Sequence, residues 1–326
     1  MPQTEVSAAQ IDRAVAVLNR GGLVAFPTET VYGLGADATN PTAVRKIFSV
    51  KGRPHHHPLI VHLADMAQVE QWADPISPTA RLLAERFWPG PLTLIMRRAA
   101  GVSDAVTGAQ DTVGLRIPAH PIARALLRAF GGGIAAPSAN RFGRISPTTA
   151  KHVRAELGAD VDLVLDGGDC DIGIESTIVD VSGARPAMLR PGRITAADLA
   201  EVLAAPLAQA QLQSPRAPGM LAGHYAPRTQ LRLVSIEHLP AAAARLRATG
   251  KRVAVLASVA VPAATYSIAA PVVAIEFARE LYANLRCLDD SGCDVILVEA
   301  PPDQPEWAAI RDRLTRAAHA EPSVEP

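Results

Sequence analysis

The sequence predicts an α/β protein in two parts joined by a linker, and three observations carry that reading. Short apolar runs alternate with amphipathic stretches along residues 1–205. The pattern breaks over 206–230, a stretch with four prolines, many small residues and little periodicity. It then restarts over 231–326. The expectation is a mixed twisted sheet with helices in the first part and a smaller, Rossmann-like parallel α/β domain in the second. At 48% hydrophobic and 20% charged residues, the 326-residue chain has enough apolar side chains for a sizeable core, which excludes a disordered or low-complexity protein.

Each element has a local reason. Ser7 caps a helix running to Arg20, with Ile11, Ala14, Val15 and Leu18 on one face. Gly21-Gly22 ends it, and residues 23–26 (LVAF) form a buried strand. Asn40-Pro41 opens a second helix to about Val50, with proline at the first helical position. Residues 58–63 (PLIVHL) make a strand, and Ser77-Pro78 starts a helix through Phe87. Residues 92–96, 112–117 and 133–136 read as further strands. Ser146-Pro147 caps a helix through Leu157, and 161–165 and 176–181 are strands. In the second part, strands at 231–236, 252–257 and 294–300 alternate with helices at 239–249, 276–289 and 305–318. No GxGxxG occurs there, so a Rossmann cofactor site is unsupported. The residues from Glu321 read as frayed.

Charge and composition exclude several classes. Lys+Arg and Asp+Glu are 32 each, so no bulk field recruits nucleic acid or an anionic membrane. The longest mostly apolar stretch, Val253 to Val261, is far short of the ~20 residues of a membrane helix. The N-terminus shows no basic region followed by an apolar run. Three cysteines (Cys170, Cys287, Cys293) are an odd number without metal-ligand spacing and fit a reducing cytoplasm. Only four cations are lysines, and Lys51 alone of them lies in a dense motif.

That motif and its neighbours carry the candidate chemistry. In PTETVYGLGADA (27–38), Thr28, Glu29 and Thr30 precede Tyr32, and Gly33 and Gly35 read as a turn that lets backbone amides approach a ligand. A polar hairpin turn fits the same letters. In VKGRPHHHPLIVH (50–62), Lys51 and Arg53 flank a glycine, a natural cradle for a polyphosphate or else a solvated basic loop. The consecutive histidines 55–57 point in different directions and rarely converge on one metal. Thr112 and Arg116 share one face of a strand, and an arginine on an apolar strand needs an anionic partner, from a ligand or from the protein. Ser138, Asn140 and Ser146 offer hydrogen bonds to a ligand, and Ser146 also reads as a plain helix cap. Ser176, Thr177 and Arg190 sit at strand edges. No Ser-His-Asp ordering, HExxH or GxxxxGK[ST] is present, so anion binders occur without an evident nucleophile.

Together, PTETVYGLG (27–35), KGRPxxHPLIVH (51–62), WPGPLTLI (88–95), GLRIPxHP (114–121), APSAN (136–140), SPT (146–148), ESTIVD (175–180) and LRPG (189–192) resemble the YrdC-like domain of threonylcarbamoyl-AMP synthases. The resemblance runs through nearly all of 10–205. PGMLAGHYAP (218–227) and the domain beyond it are similar to the longer, two-domain form. It implies a YrdC-like catalytic domain over 1–205, a linker or lid over 206–230 and a C-terminal α/β domain over 231–326. It also implies a cytoplasmic nucleotidyltransferase that joins L-threonine, bicarbonate or CO2 and ATP into threonylcarbamoyl-AMP, releasing pyrophosphate. The product feeds a downstream transferase machinery that modifies the adenosine beside the anticodon of tRNAs reading ANN codons. Direct tRNA binding is left open.

Residue by residue, the resemblance implies that Thr30, His62, Arg116 and Ser176, with backbone near Ala136, hold threonine. Arg53, His57, Thr112, Ser138, Ser146 and Arg190 would contact ATP, with Tyr225 folding back over the nucleotide. Lys51 and Arg53 would act on the reacting groups, with Mg2+ accompanying the phosphates. Phe142 stands where the family often has a serine. Two rivals are an RNA-gripping module and a carbamoyl-transfer domain of the hydrogenase-maturation type. The zero net charge and scarcity of basic-aromatic clusters oppose the first. The second normally carries zinc-finger-like cysteine pairs, which this sequence lacks.

Overall fold

Helix α1 (Ala8–Asn19) starts with a reciprocal cap, the Gln10 N–H donating to Ser7 Oγ and the Ser7 N–H to the Gln10 side chain. The computed structural model describes residues 6–211, 213–220 and 223–319. Packing divides the chain into residues 1–142 with 147–220, and residues 143–146 with 221–326. The expected fraying from Glu321, and Leu221 and Ala222 of the linker motif, lie outside the described residues.

In the first unit, β1 (Val24–Phe26) pairs antiparallel with β2 (Gly33–Asp37). The next elements are α2 (Pro41–Lys51), β3 (Ile60–His62), α3 (Pro78–Phe87), β4 (Leu92–Arg97), the short α4 (Asp104–Thr107), β5 (Thr112–Arg116) and α5 (Pro121–Phe130). Then follow β6 (Ile134–Ala135), α6 (Ala150–Leu157), β7 (Leu163–Val164), β8 (Thr177–Asp180), β9 (Ala187–Arg190), α7 (Ala196–Leu203) and β10 (Ala208–Gln209). The ten strands form one mixed sheet in the order β10-β9-β8-β4-β5-β3-β6-β2-β1-β7.

Strand alternation divides the side chains between the two faces of this sheet. Ala25, Val61, Leu94, Val113, Leu115 and Val179 enter the larger core, with α2, α3, α6 and α7. Val24, Phe26 and Ile134 point the other way, against α1 and α5. Toward β9 this second face gives way to a floor of Ile60, Ile95, Ile178 and Leu189, on which Ala217 and Met220 pack. His62 and Arg116 are register partners on the same face as Ile134 and Ile60. The site is built there.

Several expectations change. Gly33 and Gly35 belong to strand β2 rather than a ligand-approaching turn. A Cβ on Gly35 would sit 2.8 Å from both Ile134 and the Phe26 ring, so glycine serves close packing. The helix expected from Ser146 begins at Ala150, because Thr149 Oγ1 accepts the His152 N–H and caps it. Residues 208–209, expected in the linker, add β10 beside β9.

The second unit contains β11 (Gln230–Val234), α8 (Leu239–Ala248), β12 (Val253–Ala257), β13 (Tyr266–Ala269), α9 (Ala274–Asp289), β14 (Val295–Glu299) and α10 (Ala308–Ala318). Its sheet is all parallel in the order β11-β14-β12-β13. Strand β13, with three of its four residues exposed, has no alternating apolar signal in the sequence. Its core joins Leu239 and Ala243 of α8 to Val253, Val255, Val295 and Leu297 of the sheet.

Candidate active site

Arg116 ends β5 and is buried at 4% exposure. Its Nη1 donates to Thr30 Oγ1 at 2.9 Å, its Nη2 to Glu29 Oε1 at 2.5 Å, and its Nε to the Gly90 carbonyl at 3.2 Å. The anionic partner that the strand demanded is therefore Glu29, whose other oxygen accepts the Ala119 N–H. The turn between β1 and β2 presents this carboxylate. Thr28 Oγ1 donates to the Val31 carbonyl and lies 2.8 Å from Thr30 Oγ1, which fixes the loop. Glu29 is the residue whose role the sequence reading missed; the signal was a carboxylate between two threonines before a strand.

His62 lies beside Arg116 on neighbouring β3. Burial, then the Arg116 charge, pushes its pKa down to about 3, so the ring is neutral. Its Nδ1 makes no hydrogen bond to the described residues. Ala136 donates its N–H to the Ile60 carbonyl at 2.9 Å, which seats the 136–140 loop on the same strand.

Ser176 and Arg190 form a second group. Ser176 Oγ is 2.8 Å from Thr93 Oγ1, and Arg190 Nε and Nη2 both donate to the Ser176 carbonyl. Arg190 Nη1 reaches the Pro218 carbonyl at 2.9 Å, tying the 214–220 strap to β9. A Cβ on Gly192 would fall 2.4 Å from the Thr177 nitrogen, so only glycine lets the chain after β9 press on the start of β8.

Lys51 is the last residue of α2, and its Nζ donates to the Ser138 and Asn140 carbonyls at 2.5 Å each. Burial and then the Arg53 charge hold its ammonium well below the ordinary lysine pKa. Gly52 follows in the left-handed region (φ 62°) and turns Arg53 back. Arg53 Nη2 donates to the Pro58 carbonyl at 2.9 Å, and its guanidinium lies 5.8 Å from the Phe142 ring centre. The His57 ring meets the same phenyl edge-on at 5.5 Å, so Phe142 is a shared platform for both. Burial and Arg53 push His57 down to about 4. Histidines 55 and 57 meet different rings, Phe48 and Phe142. Among the described residues, no group of three or more His, Cys, Asp or Glu is arranged to hold a metal.

Thr112 opens β5, four residues from Arg116, or about 13 Å along a strand. The face between them is the apolar floor under Ala217. Ser146 and Tyr225 belong to the second unit. There Tyr225, at φ 65°, stacks on Tyr282 with ring centres 6.0 Å apart, and Arg313 lies 5.1 Å over its ring.

The arrangement supplies fixed cations, hydroxyls and a neutral imidazole on one sheet face. Comparison with known proteins gives this geometry a family. The Sua5/YciO/YrdC family model, described as "Telomere recombination", matches residues 16–192, and the model of the threonylcarbamoyl-AMP synthase C-terminal domain matches residues 194–319. The threonylcarbamoyl-AMP synthase of Pyrococcus abyssi is 40% identical over 319 residues, covering 94% of this chain and 93% of that protein. This chain belongs to the threonylcarbamoyl-AMP synthase family. The Bacillus subtilis synthase is 41% identical over 95% of this chain and 93% of its own. The crystal structure of P. abyssi Sua5 complexed with L-threonine superposes with a TM-score of 0.92 at 37% identity, covering 97% of this chain and 96% of that one. The family places this chain among enzymes in their two-domain form. Among the described residues, no helix is long and apolar enough to cross a membrane.

Proposed function

We propose that this chain condenses L-threonine, bicarbonate or CO2, and ATP into threonylcarbamoyl-AMP and pyrophosphate. The observation that carries the reading is Arg116, buried beside Thr30 and neutral His62, in a chain 40% identical to a threonylcarbamoyl-AMP synthase over 94% of its length. A buried guanidinium with a hydroxyl at its side suits the carboxylate of a small amino acid. Thr30, His62, Arg116, Ser176 and the backbone at Ala136 would hold threonine. Arg53, His57, Thr112, Ser138, Ser146, Arg190 and Tyr225 would contact ATP.

The neutral threonine amine adds to CO2 and releases a proton to solvent, which gives a carbamate. A carbamate oxygen then attacks the α-phosphorus, the bond to the β-phosphate oxygen breaks, and pyrophosphate departs with its electron pair. Both reacting groups belong to substrates, so the protein contributes position and charge. Neutral His62 leaves the amine free to act as a nucleophile rather than adding a competing cation. Lys51 and Arg53 would neutralise charge on the phosphates. A polyanion beside Lys51 would oppose the desolvation that lowers its pKa. Magnesium enters the proposal only as the ion that ATP brings. Among the described residues, no carboxylate cage is built for it.

The product would supply the threonylcarbamoylation of tRNA beside the anticodon, which puts the enzyme in the cytoplasm with that machinery. Mass spectrometry of a reaction with ATP, threonine and labelled bicarbonate tests the proposal. The expected product carries the label, and pyrophosphate forms only with all three substrates. Equal pyrophosphate release without threonine would sink it.

A further inference from the structure

The second unit holds a cavity of about 180 Å³ that the proposed reaction does not use. It lies at one edge of the parallel sheet, where Ser258 follows β12, Ala270 follows β13 and Glu299 ends β14. Ligands of parallel α/β sheets bind at this carboxyl edge, outside the strand ends. Phe277 and Trp307 form part of the wall, ring centres 5.4 Å apart and nearly perpendicular. Pro301 and Pro302 add further apolar surface.

Glu299 is the only charged side chain among the lining residues. Its Oε2 accepts the Ser258 N–H at 2.6 Å and the Ser258 hydroxyl at 2.7 Å. These bonds fix the carboxylate without neutralising it, and no lysine or arginine among the described residues pairs with it. The cavity is thus an apolar, aromatic-walled space with one anchored negative charge. Its complement is a cation on a short apolar body, since the aromatic faces and the carboxylate both attract positive charge. An anion meets only Glu299, and a neutral molecule leaves it unpaired. Lining Val272 is 74% exposed, and its chain neighbours Val273 and Ile275 are exposed too, as is Val259 beside lining Ser258.

We infer that this cavity binds an alkylguanidinium or alkylammonium group, with its head on Glu299 and its body against Phe277 and Trp307. The volume suits a body of about four carbons, since cavities of about 150 Å³ take a benzene ring. The source is either a free small cation or a basic side chain of a protein that rests on the exposed valines.

Titrating n-butylguanidinium into the full-length protein, followed by ligand-observed NMR, tests the inference. One saturable site of roughly millimolar affinity is expected. n-Butylurea, of the same shape without the charge, should bind at least about tenfold more weakly. Glu299→Gln keeps an oxygen for Ser258 and should lower the guanidinium affinity about tenfold with an unchanged melting temperature. If that variant melts early, the guanidinium–urea comparison on the unaltered protein decides. A short acetylated peptide with arginine between valines assigns the source. Tighter binding than the free cation points to a protein side chain, and equal or weaker binding to a small molecule. No saturation at about 20 mM, equal binding of the urea, or undiminished binding to Glu299→Gln in a folded protein overturns the inference.

Discussion

Arg116 and Glu29 make the first-unit site a matter of single charges. A buried pair is costly to break, because the survivor keeps its desolvation penalty without its partner. Arg116→Ala should therefore destabilise the protein by about 3–5 kcal/mol by stranding Glu29, and Arg116→Ala with Glu29→Gln should recover much of that loss. Thermal melts of the two variants check this, and equal melting would show that the pair carries no strain of this kind. In the proposed reaction, Arg116→Ala should raise the threonine requirement about ten- to a hundred-fold and the ATP requirement far less. An unchanged threonine requirement in the folded variant would make the arginine purely structural.

His62 adds a pH dependence at the same scale. Its folded pKa, about 3, lies below the ordinary histidine value of 6.5, so between these values the unfolded chain binds the extra proton. The stability that rests on a neutral His62 is complete above pH 6.5 and falls as pH drops toward 3. Urea midpoints between pH 7 and 4 should fall less steeply for His62→Gln than for the unaltered chain. Parallel curves would show that the ring is not held neutral.

At the scale of elements, the strap from Ser214 to Met220 lies on the floor of the first unit, and the Arg216 side chain donates to the Gly108 carbonyl. Arg190 donates to the Pro218 carbonyl, and the Arg216 backbone exchanges hydrogen bonds with the Gln110 side chain. Ala217 contributes only a methyl to the floor of Ile60, Ile95, Ile178 and Leu189. Ala217→Asp would place a carboxylate on that floor and should release the strap. Amide hydrogen exchange over residues 214–220 should then speed up, with the melting temperature nearly unchanged because the main core lies on the other face. Unchanged exchange would mean that the strap is fastened by its polar bonds alone. Element starts were legible where the cap was unambiguous, as at Ser7, Asn40 and Ser77. At 146–149 several residues qualify, and the hydrogen bond from His152 to Thr149 decided among them.

For the molecule as a whole, each unit has its own core, so a core defect should stay local. Leu297, 1% exposed at the centre of β14, belongs to the core of the second unit. Leu297→Ala should cost about 2–5 kcal/mol. Hydrogen exchange should show lost protection concentrated in residues 230–318. Loss spread equally over both units would contradict separate cores.

The sequence alone determined the α/β class, the restart of the pattern after the proline-rich stretch, and the dense motifs around Lys51 and Arg116. Those features are local, set by periodicity, capping and residue chemistry. Strand order was decided only by the tertiary structure, because a three-residue strand such as β3 has no local signal for its neighbours. Arg116's partner was also decided there. Glu29 lies 87 residues away in sequence, and pairing across that distance depends on β5 and the β1–β2 turn meeting at one end of the sheet. The glycines of β2 were misread for the same reason. A glycine that frees a turn and one that admits Phe26 and Ile134 look identical until the neighbouring strands are in place.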